Sequence, residues 1–298
     1  MIKIIQCRSY KQAINKSKNL QNIVAIETEY GDEYFGKKDG AEIELLHHGK
    51  FENPPASIAL IPDSSSKKVK YRYNEFIVSH IDLDTVFGIM WAGGYLKNTY
   101  IAREISKLVA YLDEHGFYHF KNNLLDKTNQ IHVKFLAITS IMNFWKIRPR
   151  TLSYDIHKLI LRIRDYIVLP IPQEVKKYIL IEEETHFLDD VVQPQFIISN
   201  TLITYISYKS VTNHYLYNGD EYEMILQYNL GTQTITLACQ DEAIAEQYFG
   251  EQGVVEPLQK FFGHSAGGHK SIGGSPRNKK LSEDVLKDFF TFLQDTYL

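Results

Sequence analysis

The apolar segments of this chain change period about two-thirds of the way along, and that change points to two folding units. Short apolar runs at residues 23–28, 41–46 and 75–79 read as strands, with 57–61 as a further candidate. From Asp84 through Trp91 the pattern is helical, and Gly93-Gly94 stops it. Residues 98–115 are amphipathic: Ile101, Ile105, Leu108, Val109 and Leu112 share one face, and Gly116 follows the last turn. Helices are predicted over 132–145 and 153–168, separated by Pro149 and closed by Pro170 and Pro172, and a further acid-rich one over 174–188. From Pro194 onward the chain is β-rich, at 196–208, 222–228 and 234–239, with Asn218-Gly219 as a hairpin signal. Short helices at 241–249 and 254–262 lead into a glycine-rich segment and a last helix over 282–297. The fold class predicted is α/β. Residues 1–192 form a domain with a mainly parallel sheet flanked by helices, and 193–298 form a smaller α+β domain.

Composition narrows the function classes. A formal charge of -3 argues against coating long nucleic acid, which needs a basic surface. Cys7 and Cys239 are the only cysteines, which excludes a disulfide framework and a cysteine-rich zinc site. No basic segment followed by an apolar run opens the chain, and no apolar stretch is long enough to cross a bilayer, so the expected location is the cytoplasm with no membrane partner. A homodimer is compatible with the sequence.

Two segments carry most of the chemical signal. In Ser79-His-Ile-Asp-Leu-Asp-Thr85, a buried strand gives way to a helix. His80, Asp82 and Asp84 alternate, so extended backbone would send all three to one side. One nitrogen and two hard oxygens suit Mn²⁺, Mg²⁺, Fe²⁺ or Zn²⁺. The other reading is that Asp82 or Asp84 caps the helix while His80 packs nearby. The second segment, Gly263-His-Ser-Ala-Gly-Gly-His-Lys-Ser-Ile-Gly-Gly-Ser-Pro-Arg277, has the composition of an anion cradle. Its candidate ligand-facing residues are His264, Gly267, Gly268, His269, Lys270, Gly273, Gly274, Ser275 and Arg277, and for the histidines a loop-structural role is the alternative.

Weaker signals surround these. His47 and His48 follow a strand, where they are either metal ligands or surface residues at a turn. Asp113 sits where a helix ends, its charge opposed to the dipole, which favours a metal or basic partner; His115 there needs no function. Glu27 and Glu29 alternate on a strand and could add oxygen ligands, but the favoured reading is a solvated edge. The acidic run from Glu182 to Asp190 reads as a solvated face. Tyr205, Tyr208, Tyr215 and Tyr217 read as sheet packing. No nucleophile elbow, phosphate-loop motif or dinucleotide fingerprint is present.

Together the two main segments resemble the DHH phosphoesterase superfamily. His80, Asp82 and Asp84 match that family's first motif one for one, and the 263–277 segment looks like its substrate-gripping glycine–histidine loop. The resemblance implies an N-terminal metal domain, with His47, His48, His80, Asp82, Asp84 and Asp113 as candidate ligands. It also implies a C-terminal substrate domain and a bound divalent metal, Mn²⁺ before Mg²⁺, Fe²⁺ or Zn²⁺. The implied activity is hydrolysis of a small phosphorylated or nucleotide-like substrate by a metal-activated water in an interdomain cleft, with His80, Asp82 and Asp84 catalytic. Two departures stand out: the family's Asp-His-His should follow the first motif, whereas His47-His48 precedes it, and Leu46 stands in place of the Asp. The alternatives are a non-catalytic nucleotide- or phosphate-binding protein with a degenerate metal site, and a metal-dependent hydrolase of another bond.

Overall fold

The structure, a computed structural model, describes residues 2–48, 51, 53–62, 71–126, 128–146, 152–171, 194–208, 211, 212, 214–276 and 279–298. The helix predicted over 174–188, the acidic run from Glu182 to Asp190, and Arg277 lie outside the described residues. The chain divides into two compact units, Met1–Asp113 with Leu125–Leu180, and Glu114–Leu124 with Ile181–Leu298. A single cut along the sequence misses the short segment Glu114–Leu124, which belongs to the second unit.

The first unit is built on a four-stranded parallel sheet. Its strands are β1 (Lys3–Gln6), β2 (Ile23–Ile26), β5 (Ala41–Leu45) and β6 (Glu75–Val78), in the order β1-β6-β2-β5. Val24 lies level with Phe76, and Ala25 with both Ile77 and Glu44. All four residues of β2 are buried, as a central strand covered on both faces requires. Ile23, Ala25 and Ile77 pack with Ala13 of α1 (Tyr10–Ser17), which Ser9 caps through its side chain. α3 (Leu83–Ala92) packs on β2 so closely that a Cβ at Gly88 would lie 3.3 Å from Ile26 Cδ1. A small hairpin, β3 (Glu29–Tyr30) with β4 (Glu33–Tyr34), follows β2 directly.

The helices that complete this unit follow the sequence pattern with two differences. Residues 57–61, expected as a strand, contain instead the helical turn α2 (Ala56–Ala59). Pro55, at φ -48°, sets the chain for that turn, and Asp84 accepts the amides of Ala56 and Ser57. The helix expected over 98–115 runs as α4 (Tyr100–Asn123) and breaks within at Gly116, whose φ of 79° suits glycine. α5 (Gln130–Lys146) and α6 (Leu152–Val168) pack against each other, and α6 buries Ile156, Ile160, Ile163 and Ile167 along one stripe.

The second unit holds a six-stranded mixed sheet. Its strands are β7 (Pro194–Ile198), β8 (Leu202–Ser207), β11 (Met224–Asn229), β12 (Thr234–Cys239), β13 (Gly267–Gly268) and β14 (Ile272–Gly274), in the order β13-β14-β12-β11-β8-β7. β9 (Leu216–Tyr217) and β10 (Asp220–Glu221) form the hairpin signalled by Asn218-Gly219. One sheet face, with Leu226, Ile235 and Leu237, packs on α7 (Glu242–Phe249), α8 (Val255–Phe262) and α9 (Asp284–Thr296). The other face carries Ile203, Tyr205 and Ile225 with Tyr215 and Tyr222, joined by Tyr118. Of the tyrosines read as sheet packing, Tyr205 and Tyr215 are buried, whereas Tyr208 is exposed.

Candidate metal centre

Three neighbouring parallel strands, β5, β2 and β6, end on one edge of the first unit's sheet, and each is followed within two or three residues by a titratable side chain. Glu27 follows Ile26, His47 and His48 follow β5, and His80 follows β6. Crevices beyond the carboxyl ends of parallel strands are where open α/β sheets bind ligands. Here the strand ends place Glu27 Oε2 2.8 Å from His80 Nε2 and 3.3 Å from His48 Nε2. Asp82 Oδ2 lies 2.5 Å from the same His80 Nε2. His47 Nε2 lies 3.3 Å from Asp113 Oδ2 and 4.0 Å from Asp84 Oδ2.

Each side chain is held by an identifiable local device. Glu27 sits in the left-handed region at φ 48°, its N–H donating to Leu45 O across to β5. That conformation costs a non-glycine residue about 1–2 kcal/mol, and such outliers gather at functional sites. Asp82 is the N-cap of α3, accepting the Thr85 amide through Oδ1 at 2.8 Å, so its Oδ2 is left toward His80. Ser79 Oγ lies 2.8 Å from His80 Nδ1 and orients the ring. Glu29 Oε1 accepts the backbone N–H of His48 at 3.1 Å. The alternation expected of His80, Asp82 and Asp84 is lost, because Asp82 is the last extended residue and Asp84 already lies in the helix. The capping reading holds for Asp82, which caps the helix and also faces His80.

The donor set fits a divalent cation. Within the first unit, Glu27, His48 and His80 form one three-ligand group and Glu27, His47 and Asp84 a second, so Glu27 belongs to both. His80 Nε2 carries at most one proton, yet two carboxylate oxygens converge on it. Four carboxylates, Glu27, Asp82, Asp84 and Asp113, surround three imidazoles in a largely buried space. Burial pushes Asp84 well above the usual carboxylate range, reinforced by the charges of Glu27, Asp113 and Asp82. Burial acts the same way on Glu27 but is outweighed by His80 and His48, which hold it well below that range. A cation reverses the repulsion among such groups. The solvated-edge reading of Glu27 is overturned, since its side chain is fully buried. The signal available was its place directly after four buried apolar residues.

In the second unit the glycine-rich segment forms an ordered hairpin. β13 pairs with β14, and β14 with β12. Ser275 is buried, its N–H donating to Ile235 O and its Oγ accepting Ile235 N–H. Lys270 Nζ lies 2.7 Å from Glu246. His264 and Gly268 are exposed, Gly274 and His269 are half-buried, and a Cβ at Gly267 would meet open space. At Gly273 a Cβ would lie 2.7 Å from Leu258 Cδ1 and 3.1 Å from Gly267 O, so absence of a side chain lets β14 lie against α8. Gly273→Ala is expected to destabilise the second unit by about 1–3 kcal/mol through overpacking, read as a lowered urea midpoint with unchanged slope.

No protein-family model matches the chain, and no curated protein matches it. Among the described residues no helix is long and apolar enough to cross a membrane.

Proposed function

We propose that this protein is a divalent-metal-dependent phosphoesterase of the DHH type, acting in the cytoplasm on a small phosphorylated or nucleotide-like substrate. The observation that carries the reading is the pair of three-ligand groups joined at Glu27, a layout suited to two cations. A bound pair of cations supplies Lewis-acid polarisation of phosphoryl oxygens and a water of lowered pKa. Glu27, His48, His80 and Asp82 would hold one ion, and Glu27, His47, Asp84 and Asp113 the other. Mn²⁺ suits the mixed imidazole and carboxylate set better than Mg²⁺, which favours oxygen alone. His47-His48 precedes the His-x-Asp-x-Asp motif in the chain, and the nearness of His48 to His80 and Glu27 is what supports the reading. In the second unit, His264, Gly267 and Gly268 of the hairpin present exposed or open positions suited to a phosphate.

A non-catalytic binding role is the second reading, favoured by Asp84, both of whose oxygens already accept backbone amides. One experiment separates the two. Purified protein is assayed on bis(4-nitrophenyl) phosphate and on a short dinucleotide, with Mn²⁺ and with EDTA. Hydrolysis that needs Mn²⁺ and disappears in an Asp82→Ala, Asp84→Ala variant is expected. Equal turnover by that variant overturns the enzymatic reading.

A further inference from the structure

We propose that Thr85 is a positioning residue that sets which oxygen of Glu27 and which oxygen of Asp82 faces the metal site. The inference rests on the metal reading above and goes beyond it to a residue with no ligand role of its own. Thr85 is fully buried in the first turn of α3. Its N–H donates to Asp82 Oδ1 at 2.8 Å, and its Oγ1 donates to Glu27 Oε1 at 3.2 Å. The opposite oxygen of each carboxylate, Asp82 Oδ2 and Glu27 Oε2, then lies against His80 Nε2, at 2.5 and 2.8 Å. One residue thus ties a helix cap to a carboxylate at the end of β2, 58 residues away in the chain.

The hydroxyl leg is the informative one. A backbone N–H serves any residue at an N-cap, so only the Oγ1 contact depends on the identity of residue 85. A buried carboxylate oxygen without a donor rotates to find one, and Glu27 is the side chain both three-ligand groups share. Loss of the hydroxyl therefore weakens both groups together, whereas loss of Ser79 Oγ, which orients His80, acts on the group that holds His80.

Thr85→Val removes the hydroxyl at nearly constant volume and keeps the amide, and Thr85→Ser keeps both donors. Mn²⁺ binding to the full-length wild type and both variants is measured by calorimetry, with the melting temperature of each metal-free protein recorded alongside. The expected result is Mn²⁺ binding about 10- to 100-fold weaker in Thr85→Val, with both bound ions affected. Thr85→Ser is expected to recover it, and the metal-free melting temperatures to stay close together. Wild-type affinity in Thr85→Val overturns the assignment while leaving the metal reading intact. So does a loss that Thr85→Ser fails to recover. Absence of Mn²⁺ binding by the wild type overturns both.

Discussion

Replacing Glu27 by glutamine is expected to reduce Mn²⁺-dependent hydrolysis by at least about a thousand-fold, since metal stabilisation of a transition state is worth several kcal/mol and each 1.4 kcal/mol is tenfold. The size follows from position. Glu27 belongs to both three-ligand groups of the first unit, so one exchanged atom would disturb both. Glutamine keeps the shape and can still accept from Thr85 Oγ1, but it presents a neutral amide to His80 and His48. Asp113→Asn, beside His47 of one group, is expected to cost less. Turnover numbers for the two variants at saturating Mn²⁺ test the ranking, and equal effects would contradict a shared Glu27.

Removal of metal is expected to cost stability as well as activity. Glu27, Asp84 and Asp113 lie close together, and Asp84 is pushed upward mainly by its own burial. A ligand that binds only the folded state stabilises it by mass action, about 4 kcal/mol at a thousand times its dissociation constant. For a unit of 150–250 residues, 1 kcal/mol moves the melting temperature by about 2–4 °C. Saturating Mn²⁺ should therefore raise it by roughly 10 °C per tightly bound ion, and EDTA should reverse the rise. Calcium, which prefers six to eight oxygens, should do less. A melting temperature indifferent to both Mn²⁺ and EDTA would contradict the site.

The sequence revealed the fold more readily than the site. Strands such as 41–46 and 75–79 and the long helices were legible because apolar period is a local property. The turn at Ala56–Ala59 was not, since it depends on Asp84, whose carboxylate reaches it from 27 and 28 residues further along. His80, Asp82 and Asp84 were legible as a motif because their spacing is local. Glu27 was misassigned to a solvated edge because its burial is decided by β5 and β6 on either side of β2. Thr85 carried no sequence signal, since nothing marks a threonine whose hydroxyl meets a partner 58 residues distant. That His48 lies near His80 was not legible, because chain order differs from spatial order in a parallel sheet joined by crossovers.

The left-handed backbone at Glu27 sets backbone strain against side-chain pairing at a single codon. For backbone conformation alone, glycine or asparagine is the better residue at φ 48°, but either would take away the carboxylate that His80, His48 and the Thr85 hydroxyl face. A lineage that no longer needed the cluster should lose Glu27 only together with the histidines it faces, whereas the helix cap Asp82 should outlast them because α3 needs that cap with or without a metal.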